Sequence, residues 1–500
     1  MAIRDDIIQN YNDLCDALGE QVGRDKYRKY GNYKTSLIDK VFGSWKDFQK
    51  EVNRQINFGR GLQTISKKVL SERALVTSVV DGTEINEEFW ITLKNYAEYK
   101  GCDLYVLWGK PIKKGKYFQE CVFDELKRYL VTDLSFELDD RCAAKDLFIP
   151  YNQKNPLNNL DKLSNKLTTI IVGSTKQYMK TLPYDYNDSY KIAWSTGTIS
   201  NIDYDQTISG SLDSQNHTFG ALYLEYNKSA GRYNVRNLIY KDNCMIDLDR
   251  EYTVDGAKSL DTIPAMVMGD LHLPEEDEKS ISYAVNIINT LKIKNVILHD
   301  IFSMNSISHH NFNQALTRYL NRTEENETLE KEMIIASKKL DAFTSFCPDA
   351  NFTIIHSNHD DFITKYLNTC DFIHDTNNVV TAMELFIDIV KGRNPLGKYI
   401  TSENIEFLEP GSSLEICGFE LGQHGSSGIA GARGSALSYS KTYTKSISGH
   451  THSPATFETS VIVGTNSKIR LSYNKEGICN WAHDNVLIHK NGTYQHLFWD

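Results

Sequence analysis

The sequence predicts a multidomain α/β protein, on three observations. The first 58 residues carry apolar side chains at helical spacing, and a strand–helix–strand order follows between residues 74 and 109. From about residue 260, five apolar strands each run into a cluster of carboxylate, amide or imidazole side chains. The 500 residues divide accordingly into a helical module at 1–60, an α/β unit at 70–258 and a third unit at 260–500.

In the first module, Ile3, Ile7, Ile8, Tyr11, Leu14 and Leu18 recur at helical spacing, and Gly19 stands near the helix end. A second short helix carries Tyr27 and Tyr30. Ser44 is an N-cap with Asp47 at the capping-box position, so Trp45, Phe48 and Val52 fall on one helix face. With LG at 18–19, Tyr27, Tyr30, Ser36-x-Ile38 and FGSW at 42–45, the segment resembles the small helical repeat found beside homing endonuclease domains. That resemblance implies a helix-turn-helix-like DNA-binding module, with Arg24, Lys26, Arg28, Lys29 and Lys34 as its phosphate-binding face. The other reading is a helical cap packed on the rest of the protein. Residues 1–70 hold 13 Lys+Arg against 9 Asp+Glu, a net of +4 in a chain whose total is −10. Polyanion contact is therefore expected to be local rather than spread over the surface.

In the second unit, ALVTSVV (74–80) and CDLYVLWG (102–109) read as strands around an amphipathic helix, NEEFWITLKNYAEYKG (86–101), that stops at Gly101. Further strands are expected at 168–173 and 219–226. The lysine-rich GKPIKKGKY (109–117) reads better as a solvated turn than as a phosphate contact. No catalytic constellation is visible here.

Nine cysteines are scattered singly with no CxxC pair, which argues against a zinc ribbon or a disulfide framework and for reduced thiols. No apolar run is long enough for a membrane span, and acidic residues near the start oppose a signal peptide, so a cytoplasmic protein is expected.

The chemistry concentrates in the third unit, where ten of the 14 histidines lie between 272 and 452. AMVMGDLH places Asp270 and His272 after a strand, and NVILHD places Asp300. FTIIHSNHDD places Asn358, His359 and Asp360, FELGQHG places His424, and KSISGHTH places His450 and His452. Ligands at the carboxyl ends of neighbouring strands converge. Seven donors (Asp270, His272, Asp300, Asn358, His424, His450 and His452) mix carboxylate, amide oxygen and imidazole, which suits Mn²⁺, Fe²⁺ or Zn²⁺. They are too many for one tetrahedral ion and fit two ions sharing a carboxylate. If extended, Asp270 and His272, and likewise His450 and His452, point the same way at i and i+2.

The ordered set DLH, HD, NHD, HG and GHTH resembles the calcineurin-like metallophosphoesterase superfamily, over about residues 263–470. The resemblance implies a β-sandwich flanked by helices with a dinuclear site, Mn²⁺ being the expected metal. It implies that Asp270, His272 and His452 bind one ion, that Asp300 bridges, and that Asn358, His424 and His450 bind the other. It also implies that His359 acts as general acid or transition-state donor, oriented by Asp360. Two motifs depart from the family pattern: His299 and Ser303 replace the glycine and second aspartate of GDxxD, and Ser357 replaces the glycine of GNH(D/E). His299 is either a donor behind the ligands or tolerated bulk. His309 and His310 lie beyond the motif, as substrate-phosphate contacts or helix caps.

Superfamily members hydrolyse phosphomonoesters, cyclic nucleotides and nucleic-acid phosphodiesters, and the fold does not choose among them. The N-terminal module and the acidic helical insert at 321–343 favour DNA as the substrate. The arrangement around HD-x(8)-HH (299–310) and VTSVVDGTEINEEFWITLKNYA (76–97) resembles tailed-phage pre-early proteins implicated in host DNA destruction. The expectation is a metal-dependent phage DNase and, by analogy with nuclease members, a homo-oligomer. The alternatives are a phosphomonoesterase or cyclic-nucleotide phosphodiesterase, and a non-catalytic DNA-binding regulator.

Overall fold

The structure, a computed structural model, describes residues 2–18, 22–59, 67–80, 83–109, 124–131, 133–145, 147, 149–185, 189–308, 328–471 and 474–499. The lysine-rich turn, apart from Gly109, lies outside the described residues, as does the first part of the 321–343 insert. The rest of that insert belongs to the helix Leu329–Ser345.

Four helices, Ala2–Leu18, Arg24–Tyr30, Thr35–Phe42 and Trp45–Gly59, form the first module. Ile7, Ile8, Tyr11, Tyr27, Ile38, Trp45, Phe48 and Val52 make its core. The Ser44 hydroxyl caps the last helix, accepting the Asp47 N–H at 3.1 Å.

The expected strand–helix–strand unit is present. Arg73–Val80 and Asp103–Gly109 pair in parallel, joined by Glu87–Lys100, which Asn86 caps and Gly101 ends in a left-handed conformation. They belong to an eight-stranded sheet with the strands between Gly220 and Ser259 and with Leu130–Val131. An eleven-stranded sheet then crosses the molecule. Six of its strands come from residues 67–195 and five from 415–462, joined where Met179–Leu182 lies antiparallel to Ala455–Phe457. Val76, Tyr105 and Leu107 also share a core with Cys479, Ala482 and Phe498. The segments on either side of residue 260 are thus tied by both a sheet and a core.

The third sheet has six strands, in the order Ile405–Phe407, Asn351–Ile354, Asn295–Leu298, Ala265–Val267, Asp484–Ile488 and Tyr494–Phe498. Its first four strands run parallel. Strand alternation buries both faces. Ala265, Val267 and Ile297 pack against Phe419, Ile447 and Val461 of the eleven-stranded sheet. Met266, Val296 and Leu298 pack instead against helix residues such as Ala284, Met333 and Leu340. Two sheets face to face with helices outside one of them are therefore the frame of the site.

Candidate metal centre

All five cluster-bearing segments are strands: Ala265–Val267, Asn295–Leu298, Asn351–Ile354, Phe419–Glu420 and Ser446–Ser448. The first three are parallel neighbours in one sheet, and the last two are parallel neighbours in the other. Their carboxyl ends therefore meet at one rim of the sandwich. The chain beyond the first strand stays pinned to the second: Leu271 N donates to His299 O at 3.1 Å and His272 N to Asp300 O at 2.8 Å.

The i and i+2 pairs do not converge by extended alternation, as the spacing suggested. His272, Asp300, His450 and His452 have φ of 50°, 48°, 74° and 56°. Each is a non-glycine residue in the left-handed region, which costs on the order of 1 kcal/mol or more and persists where the surroundings over-determine it. Tight turns, not strand pleating, aim these ligands inward.

Asp270, His272, Asp300 and His452 are buried, and each offers a ligand atom within 4.8 Å of the others. His272 Nε2 lies 2.9 Å from His452 Nε2 and 3.4 Å from Asp300 Oδ2, and His452 Nε2 lies 3.0 Å from Asp270 Oδ2. A divalent ion bound at about 2.1 Å has ligand–ligand edges of about 3.0 Å in an octahedron and about 3.4 Å in a tetrahedron. The observed separations match such edges. On the other side of Asp300, His424 Nε2 stands 3.7 Å from Oδ2, and the His424 and His450 rings are 5.2 Å apart. Asn358 Oδ1 and both ring nitrogens of His424 are buried with no hydrogen-bond partner. Buried polar atoms without partners are costly, and the Asn358 oxygen and one His424 nitrogen are of the type that could ligate a metal ion. The residues fit one ion held by Asp270, His272, His452 and Asp300, and have donors for a second beside Asp300.

The electrostatics prepare the same atoms. Burial holds His272 and His424 well below the usual imidazole range and lowers His450 to about 4, so these rings stay neutral, the form that ligates. Burial alone would raise Asp270, but the His452 hydrogen bond and the nearby histidines outweigh it and bring its carboxyl down. The His450 N–H adds bonds to both carboxylate oxygens, at 3.1 and 2.9 Å. Asp300 is pushed up to about 7, chiefly by burial. The site thus holds one firmly ionised carboxylate and one that lacks compensating charge.

The departures from the family pattern have visible jobs. Ser357 donates its hydroxyl to Asp300 Oδ1 at 2.8 Å. Ser303 donates to His272 O at 2.7 Å, and its own carbonyl takes the His359 Nδ1 bond at 2.9 Å. Asp360 does not orient His359, contrary to the sequence expectation. Its Oδ2 accepts the Ser357 N–H at 2.8 Å and stands 3.8 Å from His356. With serine replacing the second aspartate of GDxxD, a backbone carbonyl does the orienting. His299 is fully buried with neither ring nitrogen hydrogen-bonded, its ring 5.5 Å from that of His424. It packs under Gly449, where an added Cβ would collide with Asp270 Oδ1 and crowd the His299 ring. Trp481, which sequence reasoning missed, meets the His452 ring edge-on at 4.1 Å. It lies well past the last motif and carries no local signal. His309 and His310 lie outside the described residues.

The His359 ring stacks on Phe362 and lies 4.7 Å from that of His272, and its Nε2 is 3.9 Å from Asp300 Oδ2. Its side chain is 18% exposed, against 2% for His272 and His424, so it stands at the mouth of the site.

The chain is similar to a phage protein. Protein A1 of Escherichia phage T5 is 23% identical to it over 455 residues, which cover 84% of this chain and 80% of that protein. No family model matches the chain, and no solved structure matches it. The expected likeness to tailed-phage proteins is borne out at that level. Among the described residues, no helix is long and apolar enough to cross a membrane.

Proposed function

We propose that this chain is a calcineurin-like metallophosphoesterase that hydrolyses DNA phosphodiesters with two divalent metal ions, Mn²⁺ first among them, as a phage enzyme degrading host DNA early in infection. The observation that carries the reading is Asp300, a buried carboxylate shared between two donor sets at the ends of strands from two sheets. The DNA assignment is supported by the basic N-terminal module and by the likeness to a T5 protein.

In this reading Asp270, His272 and His452 would hold one ion, Asn358, His424 and His450 would hold the other, and Asp300 would be shared between them. When bound there, the ions neutralise phosphate charge and act as Lewis acids toward the phosphoryl group. His359 supplies the proton. Its Nδ1–H is committed to the Ser303 carbonyl, which fixes the tautomer and leaves Nε2 facing the site. In the imidazolium form Nε2 also carries a proton; as a water oxygen bonds to phosphorus and the P–O ester bond breaks, that proton passes to the departing ester oxygen and the ring returns to its neutral Nδ1–H tautomer. The left-handed turns at His272, Asp300, His450 and His452 hold the ligands in place beforehand, so little reorganisation is left for the reaction.

Purified protein incubated with Mn²⁺ and with plasmid or linear DNA tests the reading. Cleavage by wild type and its loss in Asp300→Ala are expected. No cleavage by wild type, or full cleavage by Asp300→Ala, overturns it. Turnover of an aryl phosphate without action on DNA would instead select a phosphatase, and DNA binding without any hydrolysis a regulator.

A further inference from the structure

The strands on either side of residue 260 repeat one another. From one end of the eleven-stranded sheet, inside the short strand Lys67–Val69, the order is Leu134–Phe136, Cys142–Lys145, Thr169–Val172, Lys191–Ser195 and Met179–Leu182. From the other end it is Glu415–Ile416, Phe419–Glu420, Ser446–Ser448, Ser460–Ile462 and Ala455–Phe457. In both runs the neighbours pair antiparallel, parallel, parallel and antiparallel. The other two sheets agree. Leu130–Val131, Asp103–Gly109, Arg73–Val80, Gly220–Asn227 and Arg232–Lys241 lie in the same order and directions as the strands Asn351–Ile354 to Tyr494–Phe498 of the six-stranded sheet. These strands come in the same chain order in both sets, and among the described residues only Ile405–Phe407 of the six-stranded sheet has no counterpart.

Local contacts align the two sets residue by residue. Thr198 Oγ1 donates to Ser78 O at 2.9 Å, as Thr465 Oγ1 donates to Asp270 O at 2.9 Å. Asn86 N donates to Ile199 O and Asp277 N to Asn466 O, each at 2.8 Å, and Asn86 and Asp277 both cap the helix after the first strand. A Cβ on Gly173 would press on Ser78, and one on Gly449 would collide with Asp270. Ser78 therefore matches Asp270 and Gly173 matches Gly449, so that GSTK (173–176) stands where the metal centre has GHTH (449–452).

We propose that residues 73–241 are a second copy of the same sandwich, in which the buried ammonium of Lys176 takes the place of a metal. Ser78, Ser174 and Lys176 stand at the positions of Asp270, His450 and His452, so that two hydroxyls and a cation replace three ligands. Ser174 and Lys176 also lack the positive φ that aims His450 and His452. Lys176 is 2% exposed, and its Nζ donates to Asp213 Oδ1 at 2.7 Å and to Gln153 O at 2.8 Å. Asp213 lies on the helix Ile208–Gln215, between the strands Lys191–Ser195 and Gly220–Asn227. The matching segment of the metal centre, between Ser460–Ile462 and Asp484–Ile488, supplies Trp481 to the His452 ring. The second rim thus carries its positive charge within the chain, paired and hydrogen-bonded as a buried charge requires. The two copies meet edge to edge. Ala455 and Met179 each lie six residues past the matched glycines, and Ala455 pairs with Lys180 while Thr456 pairs with Met179. That register is two-fold symmetric, and it covers the edge that each half-sheet would otherwise leave open. The chain therefore has one metal centre, and its second copy is a fixed partner that closes the edge beside it.

Metal content and thermal stability of the full chain test this. After loading with Mn²⁺ and gel filtration, Asp270→Ala/Asp300→Ala is expected to retain no ion by elemental analysis, because the second rim has no ligands to hold one. Lys176→Met is expected to keep the wild-type Mn²⁺ content and to lower the thermal midpoint in chelator by about 6 °C or more, since Asp213 is left buried without its partner. Lys176→Met/Asp213→Leu, which removes both charges, is expected to recover most of that loss. Mn²⁺ retained by Asp270→Ala/Asp300→Ala overturns the proposal, as does an unchanged midpoint in Lys176→Met or a loss of Mn²⁺ from it. A wild type that binds no Mn²⁺ counts against the proposed hydrolase and not against the second copy, which the midpoints in chelator then decide.

Discussion

The Ser357 hydroxyl donates a 2.8 Å hydrogen bond to Asp300 Oδ1, so the carboxylate at the centre of the donor set is steered by a side chain that the family pattern lacks. Burial pushes Asp300 up to about 7, and this bond is among the few interactions that favour its charged form. Groups behind metal ligands typically matter by 10-fold or more in affinity. Ser357→Gly, which removes that hydroxyl, is therefore expected to weaken Mn²⁺ binding by about 10-fold in calorimetric titration at pH 7. Equal affinity in the two proteins would show that the hydroxyl has no part in holding Asp300.

His359 is expected to separate chemistry from metal binding. It sits at the mouth of the site, held by Ser303 O, and the proposed ligand set does not include it. His359→Gln should lower kcat for DNA cleavage by about 10²-fold or more, the usual contribution of a positioned proton donor. Metal content by elemental analysis should stay at the wild-type value. A variant that loses its metals together with its activity would make His359 a ligand instead. Asp360→Asn gives the contrast. Because Asp360 accepts from the Ser357 N–H rather than holding the His359 ring, its effect should fall on metal binding.

Lys26, Arg28, Lys29 and Lys34 are exposed on the N-terminal module; Arg24 is ion-paired with Asp39, and Arg28 lies 3.7 Å from Asp25. If this face meets phosphates, replacing the first four by alanine should weaken DNA binding and flatten its salt dependence by up to about 0.9 per contact in the log–log slope. Cleavage of a small aryl phosphodiester should be unaffected. An unchanged salt slope would return the module to the role of a helical cap.

The convergence of polar clusters in the third unit was legible because each apolar run, such as Val296-Ile297-Leu298, ends in a polar cluster that a buried strand would not otherwise carry. What joins the runs was not legible. The pairing of Ala455 with Lys180 links residues far apart in the chain, and neither hydrophobic periodicity nor turn chemistry encodes such a partner. The left-handed conformations of His272 and His452 were hidden too, since histidine gives no local sign of positive φ comparable to that of glycine. The orienting role of the Ser303 carbonyl escaped because a backbone atom leaves no mark in the residue pattern. In the N-terminal module, by contrast, the Ser44 cap and the face shared by Trp45, Phe48 and Val52 were readable, since both are short-range.

His489, in the turn between the last two strands, is fully buried, and burial lowers it from 6.5 to about 4. Its Nδ1 is 3.2 Å from Thr493 Oγ1, and Nε2 has no hydrogen-bond partner. The ring is neutral in the folded chain, while the unfolded chain takes up a proton below about 6.5. Stability from this residue is therefore fully present above pH 6.5 and is lost as pH falls towards 4, by about 2 kcal/mol at pH 4.5. His489→Gln keeps a polar group near Thr493 but cannot titrate. It should lower stability at pH 7.5 while shrinking the loss between pH 7.5 and 4.5 by about that amount, as read from urea unfolding in chelator. An unaltered pH dependence in the variant would mean that the His489 ring is already protonated, or solvated, in the folded protein.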